Sequence, residues 1–222
     1  MKKTLIIVVA MLFVATTAFG ASVVGSKHDL RQSNGGPGVG LVEVCVACHT
    51  PHQDAAANKQ YPLWNHSVTG ASFGVYSSVT LNASPTAMNY TPPGQPGQSV
   101  SMLCMGCHDG TVAVLAMYNP PNSGFTGYVA AGNVTAAGLI TGTPDIGTDL
   151  SDDHPVNFAY DTALATADGG LVDPASSLEI QGWLVGSTVQ CSSCHDVHDN
   201  TNTPFLRKSN IGSALCVTCH NK

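Results

Sequence analysis

The sequence predicts a mostly irregular chain, with short α-helices and a few short strands, folded around something other than its own side chains. Three observations carry this. Only 10% of the residues are charged, while glycine (23) and proline (13) are plentiful, so turn and loop chemistry outweighs regular surface. Few apolar segments repeat at a helical or alternating period, and a conventional core needs such segments. One five-residue pattern also occurs four times: Cys45-Val46-Ala47-Cys48-His49, Cys104-Met105-Gly106-Cys107-His108, Cys191-Ser192-Ser193-Cys194-His195 and Cys216-Val217-Thr218-Cys219-His220.

Each pattern reads C-x-x-C-H, the attachment signature of a c-type haem. Two thiols at this spacing can form thioethers to the two vinyl groups on one porphyrin edge. The histidine directly after them then ligates the iron. The four motifs use all eight cysteines of the chain. Four disulfides or two paired-knuckle zinc sites are the competing uses of eight cysteines. Neither explains a histidine after every second cysteine. Four packed haems are therefore expected to supply the apolar bulk, with cofactor attachment at Cys45, Cys48, Cys104, Cys107, Cys191, Cys194, Cys216 and Cys219. His49, His108, His195 and His220 are the expected proximal iron ligands.

Taken in order, residues 1–20 have the form of a secretory signal. Lys2 and Lys3 precede a short apolar stretch at 5–13, and Ala18-Phe19-Gly20 offers small residues for cleavage. The apolar stretch is short for a bilayer span, and no cysteine stands near the cleavage site, so no stable membrane anchor is expected. Residues 21–222 are expected to form a single tetrahaem domain. Removing the leader makes the chain more acidic than its full-length charge of −6, which disfavours nucleic acid as a partner.

Residues 21–44 are Gly-rich and irregular. Trp64 follows the first motif and could pack on a porphyrin face. Pro92-Pro93-Gly94-Gln95-Pro96-Gly97 is a loop. The second motif is expected on a short helix, and the apolar run at 111–118 reads as a small local core beside a haem. Residues 119–151 read as loop with short strands. The first cysteines stand at 45, 104, 191 and 216, too unevenly for a solenoid repeat.

Beyond the motifs the chain holds five more histidines, His28, His52, His66, His154 and His198. Four haems have four sixth positions to fill, and imidazole is a strong iron ligand. All four haems are therefore expected to be bis-His, with one histidine spare. Met88, Met102, Met105 and Met117 are the rival ligands. His52 and His198 each lie three residues after a proximal histidine. On a helical turn such residues share a side, so neither can reach the opposite face of the same haem and each should ligate a different one. Closed axial positions favour conduction over catalysis. Asp152 and Asp153 read as a solvated loop, and no enzymatic activity is expected.

Gly25-Ser26-Lys27-His28-Asp29-Leu30, the Cys-x-x-Cys-His-Thr-Pro-His stretch at 45–52, Pro62-Leu63-Trp64-Asn65, Leu103 to Thr111, Asp153-His154-Pro155-Val156 and the Cys-Ser-Ser-Cys-His-Asp-Val-His stretch at 191–198 resemble a family of exported multihaem cytochromes. The resemblance is to OmcE-like tetrahaem cytochromes, which polymerise into extracellular nanowires. The last two motifs also resemble the doubled C-x-x-C-H arrangement of many multihaem proteins. The resemblance implies a loop-rich protomer joined head to tail, with a histidine of one copy ligating a haem of the next. It also implies His28, His52, His154 and His198 as distal ligands, and His66 as the spare. A homopolymer at the cell surface, passing electrons to other redox proteins or extracellular acceptors, is the expected role. A monomeric periplasmic carrier is the alternative.

Overall fold

The computed structural model describes residues 23–31, 41–50, 63–88, 99–122 and 132–221. Residues 1–20, read above as a leader, residues 92–97, expected as a loop, and His52 lie outside them. The architecture is mostly coil. Among the described residues there are five short α-helices, α1 (Ser101–His108), α2 (Thr162–Asp168), α3 (Leu178–Trp183), α4 (Cys191–Cys194) and α5 (Cys216–Cys219), and one antiparallel pair, β1 (Phe158–Ala159) with β2 (Thr188–Val189). No helix among these residues is long and apolar enough to cross a membrane.

Local chemistry explains where the helices begin and end. The Asp161 carboxylate accepts from Leu164 N at 2.9 Å and starts α2. Gly169, with φ 67°, stops it in the left-handed conformation that glycine adopts without cost. Ser177 starts α3 by accepting from Ile180 N. Three of the helices, α1, α4 and α5, carry C-x-x-C motifs. A single helical turn brings both cysteines of a motif to one side, which the thioether spacing requires.

Instead of one core there are three small apolar clusters. Phe158, Tyr160, Leu164, Ala165, Ile180 and Val189 form the first, with Cys219 against it. Phe73, Met88, Met102, Met105 and Leu150 form the second, on the flank of α1. Leu41, Ala47, Val114 and Leu115 form the third, which touches Cys48 and Cys107. The apolar run at 111–118 thus builds a local cluster beside two attachment motifs, as its sequence suggested. In place of the short strands expected there, residues 132–150 contribute two isolated bridges, one from Asp149 to Gly74 and one within the segment, Val134 with Ile140. Gly138 and Gly142 adopt positive φ around that bridge, so the chain turns back before a ladder can extend.

Candidate haem-attachment sites

Isolated bridges pin three of the four proximal histidines to distant backbone. His49 pairs with Trp64, His195 with Leu206 and His220 with Leu171. His108 ends α1, and its carbonyl accepts from Ile146 N at 2.7 Å. Each histidine therefore leaves its motif along a fixed direction. Gly106 allows the second motif to sit close to residues 66–68, since a Cβ there would lie 2.9 Å from the Ser67 carbonyl oxygen.

The ring nitrogens are oriented by carbonyls. His108 Nδ1 faces the Pro144 oxygen at 2.7 Å and His195 Nδ1 faces the Pro204 oxygen at 3.0 Å. His154 Nδ1 faces the Pro155 oxygen at 2.9 Å. A carbonyl only accepts, so Nδ1 must donate and carry the proton. Nε2 then holds a free lone pair, the arrangement seen in metal-ligating histidines. Burial, followed by the neighbouring His108, lowers the His28 pKa to about 4, so its imidazole is neutral at neutral pH. Phe205 stacks on that ring at 4.6 Å.

The histidines meet in pairs. Ring centroids are 6.1 Å apart for His28 and His108, 6.1 Å for His49 and His198, and 6.3 Å for His154 and His220. Two imidazoles on opposite sides of one metal would stand about 6.2 Å apart, from a metal–nitrogen bond of about 2.0 Å and about 1.1 Å from nitrogen to ring centre on each side. The interplanar angles of 59°, 23° and 77° leave this fit intact, because each ring rotates freely about its own metal bond. Each pair joins a proximal histidine to one outside the motifs. Such a donor set, with two thiols beside each pair, fits haem c.

His198 reaches His49 by a route other than the expected helical turn. α4 ends at Cys194, and His195 is extended (φ −113°, ψ 137°). The chain then turns through Asp196, whose carboxylate accepts from His198 N at 3.0 Å. The premise of a shared helical face therefore does not hold here, because the Cys194 carbonyl instead accepts from Arg207 N. Among the described residues no histidine ring pairs with His195 in this way, and His52 lies outside them.

His66 is placed differently. It is 1% exposed. Nδ1 faces the Ser67 carbonyl at 2.7 Å and Nε2 faces the Ala113 carbonyl at 3.0 Å. Both nitrogens stand against carbonyl oxygens, and the neutral ring that burial favours donates to one of them. Nε2 also lies 3.4 Å from Cys107 Sγ. Met88, Met102 and Met105 are 1–2% exposed in an apolar cluster, which is a packing role. Trp64 stands edge-on to both His49 and His66.

The cysteines of successive motifs face one another. Burial and then the nearby Cys48 push up the Cys107 thiol. Cys104 and Cys191 hydrogen-bond to each other, which raises Cys104 and lowers Cys191 to about 7. Cys194 is raised by burial and by its neighbours Cys191 and Cys216. Burial and then Cys194 push Cys219 up to about 11. Cys45 and Cys216 are exposed, and the other six are partly covered. Among the described residues no group of three His, Cys, Asp or Glu side chains converges as on a zinc ion.

Sequence reading found the motif residues from their spacing. It missed Pro144, Pro204 and Phe205, which orient histidines, because a carbonyl or a stacked ring leaves no local pattern. Asp152 and Asp153 lie exposed on a turn.

Residues 185–222 match the doubled CXXCH motif family. A comparison with curated proteins finds no match. The doubled motif indicates a multihaem c-type cytochrome, a haem-binding electron-transfer protein with covalently bound haem c.

Proposed function

We propose that the chain carries four haem c groups, one on each C-x-x-C-H motif, and conducts electrons along them as an exported protein that polymerises head to tail at the cell surface. The observation that carries this reading is the three histidine pairs at the separation of two ligands on one iron. Bound haem supplies one-electron chemistry at its iron. The protein contributes attachment, ligation and order. His49 with His198, His108 with His28 and His220 with His154 close three irons. The His195 iron would need a further ligand, for which His52 is the remaining candidate.

Contacts between cysteines of successive motifs support an ordered path from the first site to the fourth. The exposed thiols, Cys45 and Cys216, belong to the two end sites. A head-to-tail contact that does not close generates a filament, and a second copy of this chain is its natural partner. Extracellular acceptors or other redox proteins would take the electrons. Closed axial positions leave no open iron for substrate, which favours a carrier over an enzyme.

The test has two parts. The mature protein should show a mass increase for four haems, begin at residue 21, and bind no carbon monoxide when reduced. Substituting His28, His154 or His198 singly by alanine should open one iron each time, giving a high-spin signal and carbon monoxide binding. Negative-stain microscopy of material sheared from cells should then show thin filaments of this chain. Small particles confined to the periplasm would leave a monomeric carrier instead.

A further inference from the structure

One buried residue outside the motifs bonds to the helices of both the second and the third. Gln190 directly precedes the third motif and is 1% exposed. Its Oε1 accepts from Ser99 Oγ at 2.8 Å, Ser101 Oγ at 2.8 Å and Ser101 N at 3.3 Å. Its Nε2 donates to Asn157 Oδ1 at 3.1 Å and to Thr188 Oγ1 at 2.9 Å. The amide thus uses both donors and saturates its acceptor, which fixes its orientation without ambiguity.

Consider what those partners belong to. Ser101 opens α1, the helix of the second motif, and has no cap from its own segment. Gln190 supplies that cap from far along the chain. Ser101 Oγ in turn accepts from Cys191 N at 2.9 Å, inside the third motif. Gln190 N donates to Ser193 Oγ at 2.9 Å, starting α4. Asn157 stands three residues after His154 and is held by Thr86. One buried amide therefore fixes α1 against α4, and the outcome is the direct contact of Cys104 with Cys191.

We propose that Gln190 is a positioning residue that sets the placement of the second haem against the third, and so their electron exchange. This rests on the electron-transfer reading above. A buried network with every member satisfied specifies one arrangement, because each displacement would leave a polar group without a partner. Apolar packing at the same junction would tolerate sliding.

The test uses the full-length, haem-loaded protein. Gln190→Met keeps the volume and removes every side-chain hydrogen bond. Haem-methyl resonances of the oxidised protein and a potentiometric titration are read together with the haem mass. The expected result is four haems retained, with resonances and potentials shifted for the haems on the second and third motifs and unchanged for the other two. Ser101→Ala, a milder change, should shift the same two haems by less. Unchanged signals in a folded Gln190→Met protein would overturn the proposal, as would a shift spread evenly over all four haems. Loss of folding in both variants would also overturn it, by showing a general structural role. Fewer than four haems in the unsubstituted protein would sink the electron-transfer reading itself, a result distinguishable by mass alone.

Discussion

The junction between the first and second motifs and that between the second and third solve one problem with opposite chemistry. Cys48 and Cys107 meet in an apolar cluster of Leu41, Ala47, Val114 and Leu115. Cys104 and Cys191 meet beside Gln190, with Ser99, Ser101 and Asn157 around it. Apolar burial is strong and non-directional, so it holds the first two sites together without dictating a single register. A saturated polar network contributes less net energy per contact and dictates geometry. The difference teaches that energy and placement are separable in a chain with little regular structure.

The largest expected effect lies in the apolar junction. Leu115 is 1% exposed, and Leu115→Ala should cost about 2–5 kcal/mol through lost transfer energy and the cavity left behind. Denaturant melts of the haem-loaded protein would measure it. If this variant also shifted the haems of the second and third motifs as selectively as Gln190→Met, the separation of energy from placement would fail.

A smaller effect is expected at His66, the polar member of the apolar junction. His66→Phe removes the donor facing the Ser67 and Ala113 carbonyls and should cost about 1–3 kcal/mol. Its sharper outcome is spectroscopic. All haems should remain low-spin and closed to carbon monoxide, unlike the alanine variants of His28, His154 or His198. Carbon monoxide binding by the reduced His66 variant would make it an iron ligand after all.

The smallest effect concerns pH. Asp29 is buried, and Arg31 forms a paired bond with it, Nε to Oδ1 at 2.8 Å and Nη2 to Oδ2 at 2.7 Å. The Arg31 hydrogen bond holds the carboxyl well below the usual carboxylate range, with backbone N–H groups of Gly25 and Arg31 assisting against burial. A depressed folded pKa contributes stability that is complete above the ordinary aspartate value of about 4 and drains away as pH falls below it. The melting temperature should therefore drop on acidification below about pH 4, and Asp29→Asn should flatten that drop. Because Leu30 packs against the apolar cluster, this loosening should reach the His28–His108 pair before it reaches Gln190. Hydrogen exchange below about pH 4 would show the order.

Much of the site was legible because attachment chemistry is local. Cys-x-x-Cys-His needs one helical turn and one following residue, so its meaning survives without the fold. The scarcity of charge and of periodic apolar runs likewise pointed to coil, and three of the five short helices described carry motifs. The helical-turn argument for His198 went astray because strand-like bridging of His195 to Leu206 overrode local propensity.

By itself, then, the sequence determined the four C-x-x-C-H motifs and that regular structure would be sparse. Tertiary structure alone decided which histidine faces which, that His66 is buried against two backbone carbonyls, and that Gln190 links the second motif to the third. The reason is range. Thioether spacing is written within five residues, whereas His49 meets His198 and Ser101 meets Gln190 only after long loops have closed.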